Sequence, residues 1–382
     1  MPERASARRV TLRDIADKVG ITPSAVSMAL AGKPRIGDDT RKAVVDAAAE
    51  LGYVPSSAAR ALRSQHAGTI ALIVPTTATH VFGHSYFMLV LEGASSVANE
   101  NDVQLLVSTN PDNEHGLAAY ERVMRSKSAD GAILTSAAID DPTVERLIAS
   151  GLPVVMIGNF PHLPDAVTVG IDDRAASRAI TEHLITAHGR RRLLHLTGPL
   201  DHQTGADRRA GFVDAVHAHG LEAESLIVEG DLSESSGVAA VQGLGERMRE
   251  FDGIVAANDD MAFGALTVLR SASVDVPGEV AIVGFDDFGL ARVTTPSITT
   301  VRVPAQRIAR IASERLFEIM AGRDGWQRHE VAVELVLRQS CGCAAASASE
   351  DDAVVLPVET GGRRSSSAAR RASVRRAGGP AL

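Results

Sequence analysis

Two groups of side chains in this 382-residue chain have types and spacings that could do chemistry. In the first, Thr22, Ser24 and Ser27 carry short hydroxyls within ITPSAVSMAL (21–30), beside Pro23 and Met28. Hydroxyls of that reach bond phosphate oxygens or base edges, and phosphate contacts set register without reading sequence. In the second, TGPLDHQTGADRRAGF (197–212), NDDMAFGAL (258–266) and VGFDDF (283–288) concentrate Arg, Asp, Asn, Thr and His beside apolar runs. Brought to one opening, such groups supply the donors and acceptors a small polar molecule needs. Catalysis is not indicated. The chain has no nucleophile elbow, no phosphate-cradling P-loop, no dinucleotide fingerprint after a strand and no His-Glu-x-x-His pair. No enzyme is expected, and no cofactor.

The elements that must position the first group lie in residues 11–54. Thr11 followed by Asp14 is a capping box, which places a helix over Leu12–Val19. Gly20-Ile21-Thr22 is the turn. Thr22 is then a second N-cap, with Pro23 at the first helical position, where its missing N–H costs nothing. Leu12, Ile15, Ala16 and Val19 share one face, which Ile21, Val26 and Leu30 can close over. Pro23, Ser24, Ser27 and Met28 then point outward. This is helix-turn-helix geometry, in which the second helix enters the major groove by its N-terminal end. Arg35, in the loop before a third helix, is either a further DNA contact or a solvated charge.

From Thr69 short apolar runs alternate with helix-length stretches: 70–75, 103–109, 131–135 and 153–158, then 166–172, 192–198, 226–230, 253–258 and 280–287. Near-continuous apolar strands separated by helices predict parallel sheets covered on both faces. Two series predict two doubly wound lobes, with ligand at the carboxyl ends of the strands. A crossover begins at 297–303, a helix follows over about 304–320, and 329–338 reads as a last strand. Thr76, Phe82 and Tyr86 follow the first strand. The two aromatics are either a stacking face for ligand or core. The expected division is 1–54 headpiece, 55–66 hinge, 67–343 two-lobed domain and 344–382 a disordered tail too poor in large apolar groups to fold. Within the domain, one lobe takes 67–163 and 297–325, the other 164–296 and 326–343.

Charge supports the division. Residues 1–66 carry a net +4 and the tail +2, so the middle holds −14 of a total −8. A basic head on an acidic body favours phosphate contact at one end. No apolar stretch approaches 18 residues and the N-terminus lacks an apolar leader core, so a cytoplasmic protein with no membrane partner is expected. The two cysteines form Cys341-Gly-Cys343. They are too close for a relaxed bridge, and two ligands do not make a zinc site, so free thiols and no metal are expected.

Residues 11–64, from T-L-x-D-I-A through the V-S helix to E-L-G-Y-x-P and A-R-x-L, resemble the headpiece of the LacI/GalR family of bacterial transcription regulators. The resemblance runs over roughly 10–340, and its second part implies an α/β effector domain with the periplasmic-binding-protein fold. It implies that 55–64 is a hinge helix whose leucine, here Leu62, wedges into the minor groove when two chains pair on DNA. It puts Pro23, Ser24 and Met28 at base-reading positions. Met28 departs from the arginine common there and offers only apolar contact, so Leu62-driven deformation is expected to carry more of the specificity. In the cleft it assigns Arg208, Asn258 and Asp286 to ligand hydroxyls, with Thr204 and His202 as neighbours. Leu232 stands where several relatives have a stacking aromatic. The implied function is a dimeric regulator, a repressor, whose affinity for double-stranded operator DNA is set by a small effector, a sugar or sugar derivative. The competing readings are a sugar-binding protein with no role on DNA, which the headpiece argues against, and a metabolic enzyme with a helical head, which the missing nucleotide motifs argue against.

Overall fold

The computed structural model describes residues 10–30, 32–53, 66–112, 117–343 and 354–357. The chain separates into two units, the N-terminal one ending at Thr69, with Lys127–Asp130 attached to it. Leu62 and the rest of the hinge fall outside the described residues.

The headpiece is three helices, α1 (Leu12–Val19), α2 (Pro23–Leu30) and α3 (Asp38–Leu51). Thr11 and Asp14 form the reciprocal capping box, and α1 ends on Gly20 in the left-handed region. The core is small: Ile15, Ala16, Val26, Ala29, Val44, Ala47 and Ala48 are buried, with Leu12, Val19, Ile21 and Leu30 packed around them. The apolar face read from the sequence is the face that packs.

The second unit continues with β1 (Thr69–Thr77), α4 (Ala78–Gly83), α5 (Ser85–Glu100), β2 (Gln104–Asn110), α6 (Ala118–Ser126), β3 (Gly131–Thr135), α7 (Pro142–Ala149), β4 (Val154–Ile157) and β5 (Thr168–Gly170). Next come α8 (Asp173–His188), β6 (Leu193–Thr197), α9 (Gln203–Ala218), β7 (Leu226–Glu229), α10 (Glu234–Leu244), β8 (Gly253–Ala256), α11 (Asp259–Ser271), β9 (Ala281–Val283) and α12 (Leu290–Val293). The chain closes with β10 (Thr300–Arg302), α13 (Ala305–Met320), β11 (Arg328–Glu330), β12 (Glu334–Leu337) and β13 (Val354–Pro357).

Strands order as β2-β1-β3-β4-β5-β11 in one sheet and β7-β6-β8-β9 in another, with β10-β12-β13 as a small antiparallel third. β3 is buried throughout, as a strand covered on both faces must be. Three sequence expectations need correction. β5 and β11, assigned above to the second lobe, complete the first sheet, where they pair in parallel. The run 329–338 is two strands in two sheets, since Val331 and Val333 turn inward between them and the chain crosses lobes there. The tail is not wholly unstructured: β13 pairs along β12, with Val354 opposite Leu337. The crossover at 297–303 and the return of α13 to the first lobe stand as read, and α13 packs on β3, β4 and α5.

His195, in the middle of β6, shows what burial does here. Its ring stacks on Phe212 at 4.7 Å and its Nδ1–H donates to the Val255 carbonyl at 2.8 Å. Burial holds the imidazole down at about 4. A lowered value means the fold keeps the neutral form, so the stability it contributes is present above pH 6.5 and is lost as pH falls toward 4. From pH 7 to pH 5 the wild type should lose about 2 kcal/mol more than a His195→Leu variant, whose other titrations cancel in the comparison. Urea denaturation of both proteins at the two pH values checks this. Parallel losses would remove His195 as the cause.

Candidate functional site

The headpiece presents α2 by its N-terminus. Thr22 accepts the Ala25 N–H at 3.2 Å, so its hydroxyl caps the helix and sits at the tip that would approach a phosphate. Thr22, Pro23 and Ser24 are exposed, Ser27 and Met28 half-buried, and Arg35 exposed in the loop ahead of α3. Ser24, Ser27 and Met28 thus share one side of α2 at i, i+3 and i+4, with Thr22 at its tip.

The second candidate site is a cleft of about 480 Å³ between the two sheets' carboxyl ends. Thr76, Tyr86, His202, Thr204, Arg208, Asn258 and Asp286 all line it. Phe82 does not: it lies on the short helix α4 with its ring 58% exposed, so it is neither a cleft wall nor core. The alternation along α4 turns Val81 inward instead.

Arg208 anchors the floor. It lies on α9, which can start so close to its strand because position 205 is glycine: a Cβ there would sit 2.1 Å from the Pro199 carbonyl oxygen. The guanidinium is buried. Its Nε–H donates to Asp173 at 2.8 Å, one Nη donates to the Ala257 carbonyl at 2.6 Å, and the other lies 3.3 Å from Asp286. Its plane rests 3.6 Å over the Phe285 ring. Three of the five N–H donors are committed and two remain for a ligand. Asp173 is the residue the sequence reading missed. The available signal was its place in the first helical turn after the strand run 166–172. Burial raises its carboxyl to about 6, against the pull of Arg208.

Asp286 sits where backbone geometry is unusual. Its φ is +105°, and its N–H and carbonyl are held by Val301 and Val303 of the returning chain. Ser136 and Leu232, also in the cleft wall, share positive φ. Such strain persists where surrounding structure over-determines it, commonly at ligand sites. Asn258 is differently placed from the expectation of a free hydroxyl partner. Its Oδ1 caps α11 at Met261 N–H (2.9 Å) and its Nδ2 donates to the Leu232 carbonyl at 2.7 Å, so it shapes the wall and keeps mainly acceptor capacity. Tyr86 faces Thr135 at 3.5 Å, and burial pushes its phenol up to about 12, keeping it a neutral donor. His202 is tied to Asp201 at 2.8 Å. Phe160, Leu232 and Phe87 supply the apolar faces, and His84 reaches Asp260 across the opening at 3.2 Å. None of these was singled out as a wall residue from sequence except Leu232.

No helix among the described residues is long and apolar enough to cross a membrane. Both cysteines are free of disulfides. The sequence counted only two candidate ligands there, and α8 brings His183 and His188 beside them.

Comparison with known proteins agrees with this architecture. Residues 11–56 match the bacterial regulatory proteins of the lacI family, and residues 181–341 match the periplasmic binding protein-like domain. The HTH-type transcriptional regulator CelR of Thermobifida fusca is 33% identical over 320 residues, covering 82% of this chain and 93% of the relative. The regulator AscG of Escherichia coli K12 is 29% identical, covering 86% and 98%. A solved CelR–cellobiose complex is 30% identical with a TM-score of 0.66, covering 87% of this chain and 100% of that one. A lac repressor dimer bound to operator and the anti-inducer ONPF, at 23% identity and a TM-score of 0.78 over 87% and 99%, shares the fold. With a helix-turn-helix opening the sequence, a two-lobed cleft in the remainder and relatives of this closeness along most of its length, the chain belongs to the lacI family of bacterial transcription regulators.

Proposed function

We propose that this regulator represses transcription as a pair of chains on a two-fold operator, and that a small carbohydrate of about disaccharide size, bound in the cleft, sets the grip. One headpiece reads only a half-site, so paired headpieces are required for sequence-specific binding. The observation that carries the ligand reading is the cleft's chemistry. A preorganised guanidinium and two carboxylates stand at its floor, with Phe160, Leu232 and Tyr86 along its walls. Sugars present hydroxyl edges and apolar faces, and this wall offers a partner for each. The proposed DNA contacts are Thr22, Pro23, Ser24, Ser27, Met28 and Arg35, with Leu62 in the hinge. The proposed ligand contacts are Arg208, Asp286, Thr204, His202, Thr76 and Tyr86, with Asn258 holding the wall. The proposed division is headpiece 1–54, hinge 55–66, two-lobed domain 67–343 and tail 344–382, with β5 and β11 in the first lobe. The relative solved with cellobiose makes that disaccharide the first probe. At saturation it should raise the Tm by roughly 5 °C, and Asp286→Asn should remove the shift. A chain indifferent to cellobiose, other disaccharides and sugar phosphates alike would contradict a carbohydrate effector.

A further inference from the structure

At the end of α8 remote from the cleft, four metal-competent side chains converge. His183 and His188 come from the helix, Cys341 and Cys343 from the turn that follows β12, and their donor atoms all lie within 4.8 Å of one another. The two imidazole Nε2 atoms are 3.2 Å apart, and Cys343 Sγ lies 3.5 Å from His183 Nε2 and 3.4 Å from His188 Nε2. A tetrahedron built from ordinary Zn–N and Zn–S bonds has N···N edges of about 3.3 Å and N···S edges of about 3.6 Å. The three spacings among His183, His188 and Cys343 fall on those edges within a few tenths of an ångström, and Cys341 Sγ lies within 4.8 Å of each. The rings stand at 78° to each other.

The local sequence builds this convergence. Gly342 has a φ of +103°, a left-handed conformation that reverses the chain between the two cysteines, and a Cβ there would stand 3.2 Å from His188 Nδ1. Cys341 is buried and the other three side chains are half-buried, so the cluster belongs to the packed body. The Thr299 hydroxyl lies 3.0 Å from Cys341 Sγ, placed to donate to a thiolate. A divalent ion suits this donor set, since it accepts neutral imidazole lone pairs and stabilises thiolate.

We propose that His183, His188, Cys341 and Cys343 form a tetrahedral zinc site that fastens the chain after β12 to the end of α8. Binding one Zn²⁺ displaces one proton from each thiol to solvent and forms two Zn–S and two Zn–N bonds. Four protein ligands leave no open position, so the ion is structural. Soft sulfur with imidazole in this geometry selects zinc over magnesium, calcium or manganese. Asp173, at the opposite end of the same helix, is about 15 Å from His183 and about 22 Å from His188 along the axis, so the site is separate from the ligand cleft.

The test uses the full chain without a histidine tag, stripped with a chelator and reloaded with Zn²⁺ or Co²⁺. One ion per chain is expected by elemental analysis. Cobalt should give a thiolate-to-metal charge-transfer band and the intense ligand-field bands of a tetrahedral site. Cys343→Ser and His183→Gln should each weaken zinc binding at least about 100-fold, beyond what losing a mere supporting contact does. His217→Gln, on an exposed histidine, should leave it unchanged. Uptake well below one ion per chain, cobalt without the charge-transfer band, or variants that bind as tightly as wild type would overturn the site. Should a variant fail to fold, the wild type decides alone: zinc should slow alkylation of Cys343 at least about tenfold, and equal rates with and without zinc would refute it.

Discussion

Replacing Arg208 by methionine is expected to destabilise the two-lobed unit by about 3–5 kcal/mol, and by more at pH 8 than at pH 5. Methionine fills most of the space over Phe285 but leaves Asp173 and Asp286 buried with no cation between them. Uncompensated buried charge, rather than lost packing, accounts for most of that loss. The pH sign follows from Asp173. Its carboxyl already stands at about 6, so the fold holds that proton more firmly than the unfolded chain, and the associated stability is lost as pH rises through that value. Without Arg208 the value climbs further and the loss extends to higher pH. Arg208→Lys keeps a charge but not the fork that reaches Asp173, Ala257 and Asp286 together, and should fall between. Urea denaturation at the two pH values measures this. A deficit independent of pH would show that packing, not the buried carboxylates, sets the cost.

Ile15→Ala should abolish DNA binding while sparing the cleft. Ile15 is fully buried in a headpiece core of seven small and medium side chains. Truncating a buried isoleucine costs about 2–5 kcal/mol, and a core of this size supplies little more than that in total. The headpiece would then be largely unfolded at 37 °C, whereas the effector unit has its own sheets and core. Gel retardation and a ligand-induced Tm shift, run on the same preparation, separate the two outcomes. Loss of both activities together would mean that the two units do not fold independently.

Much of this was legible from residue pattern because it follows from local physics. The capping box at Thr11–Asp14, the Thr22 cap with Pro23 at the first helical position, and the near-continuous apolar run of β3 each specify their element without help from distant residues. The cleft residues read from strand ends were brought together because parallel strands deliver their carboxyl ends to one side. What escaped was set by tertiary pairing. β5 and β11 are three residues each, too short to announce a sheet, and their membership depends on which edge is open. Asp173 becomes a cleft residue only because α8 and α9 pack side by side. Phe82 fails for a related reason: α4 is a single short helix with one buried face, and the ring falls on the other. His188 and Cys343 stand 155 residues apart in sequence, and no spacing rule connects that helix end to the two cysteines.

If cleft occupancy changes the headpiece's hold on DNA, the effect is read most directly by fluorescence anisotropy. The intact chain is titrated onto a duplex from its own upstream region, with and without saturating cellobiose, at fixed salt. The expected result is a change in Kd of roughly 5- to 150-fold, the range of ordinary coupling energies, and no change in the Asp286→Asn protein. Identical Kd values with a sugar demonstrably bound in the cleft would contradict the coupling.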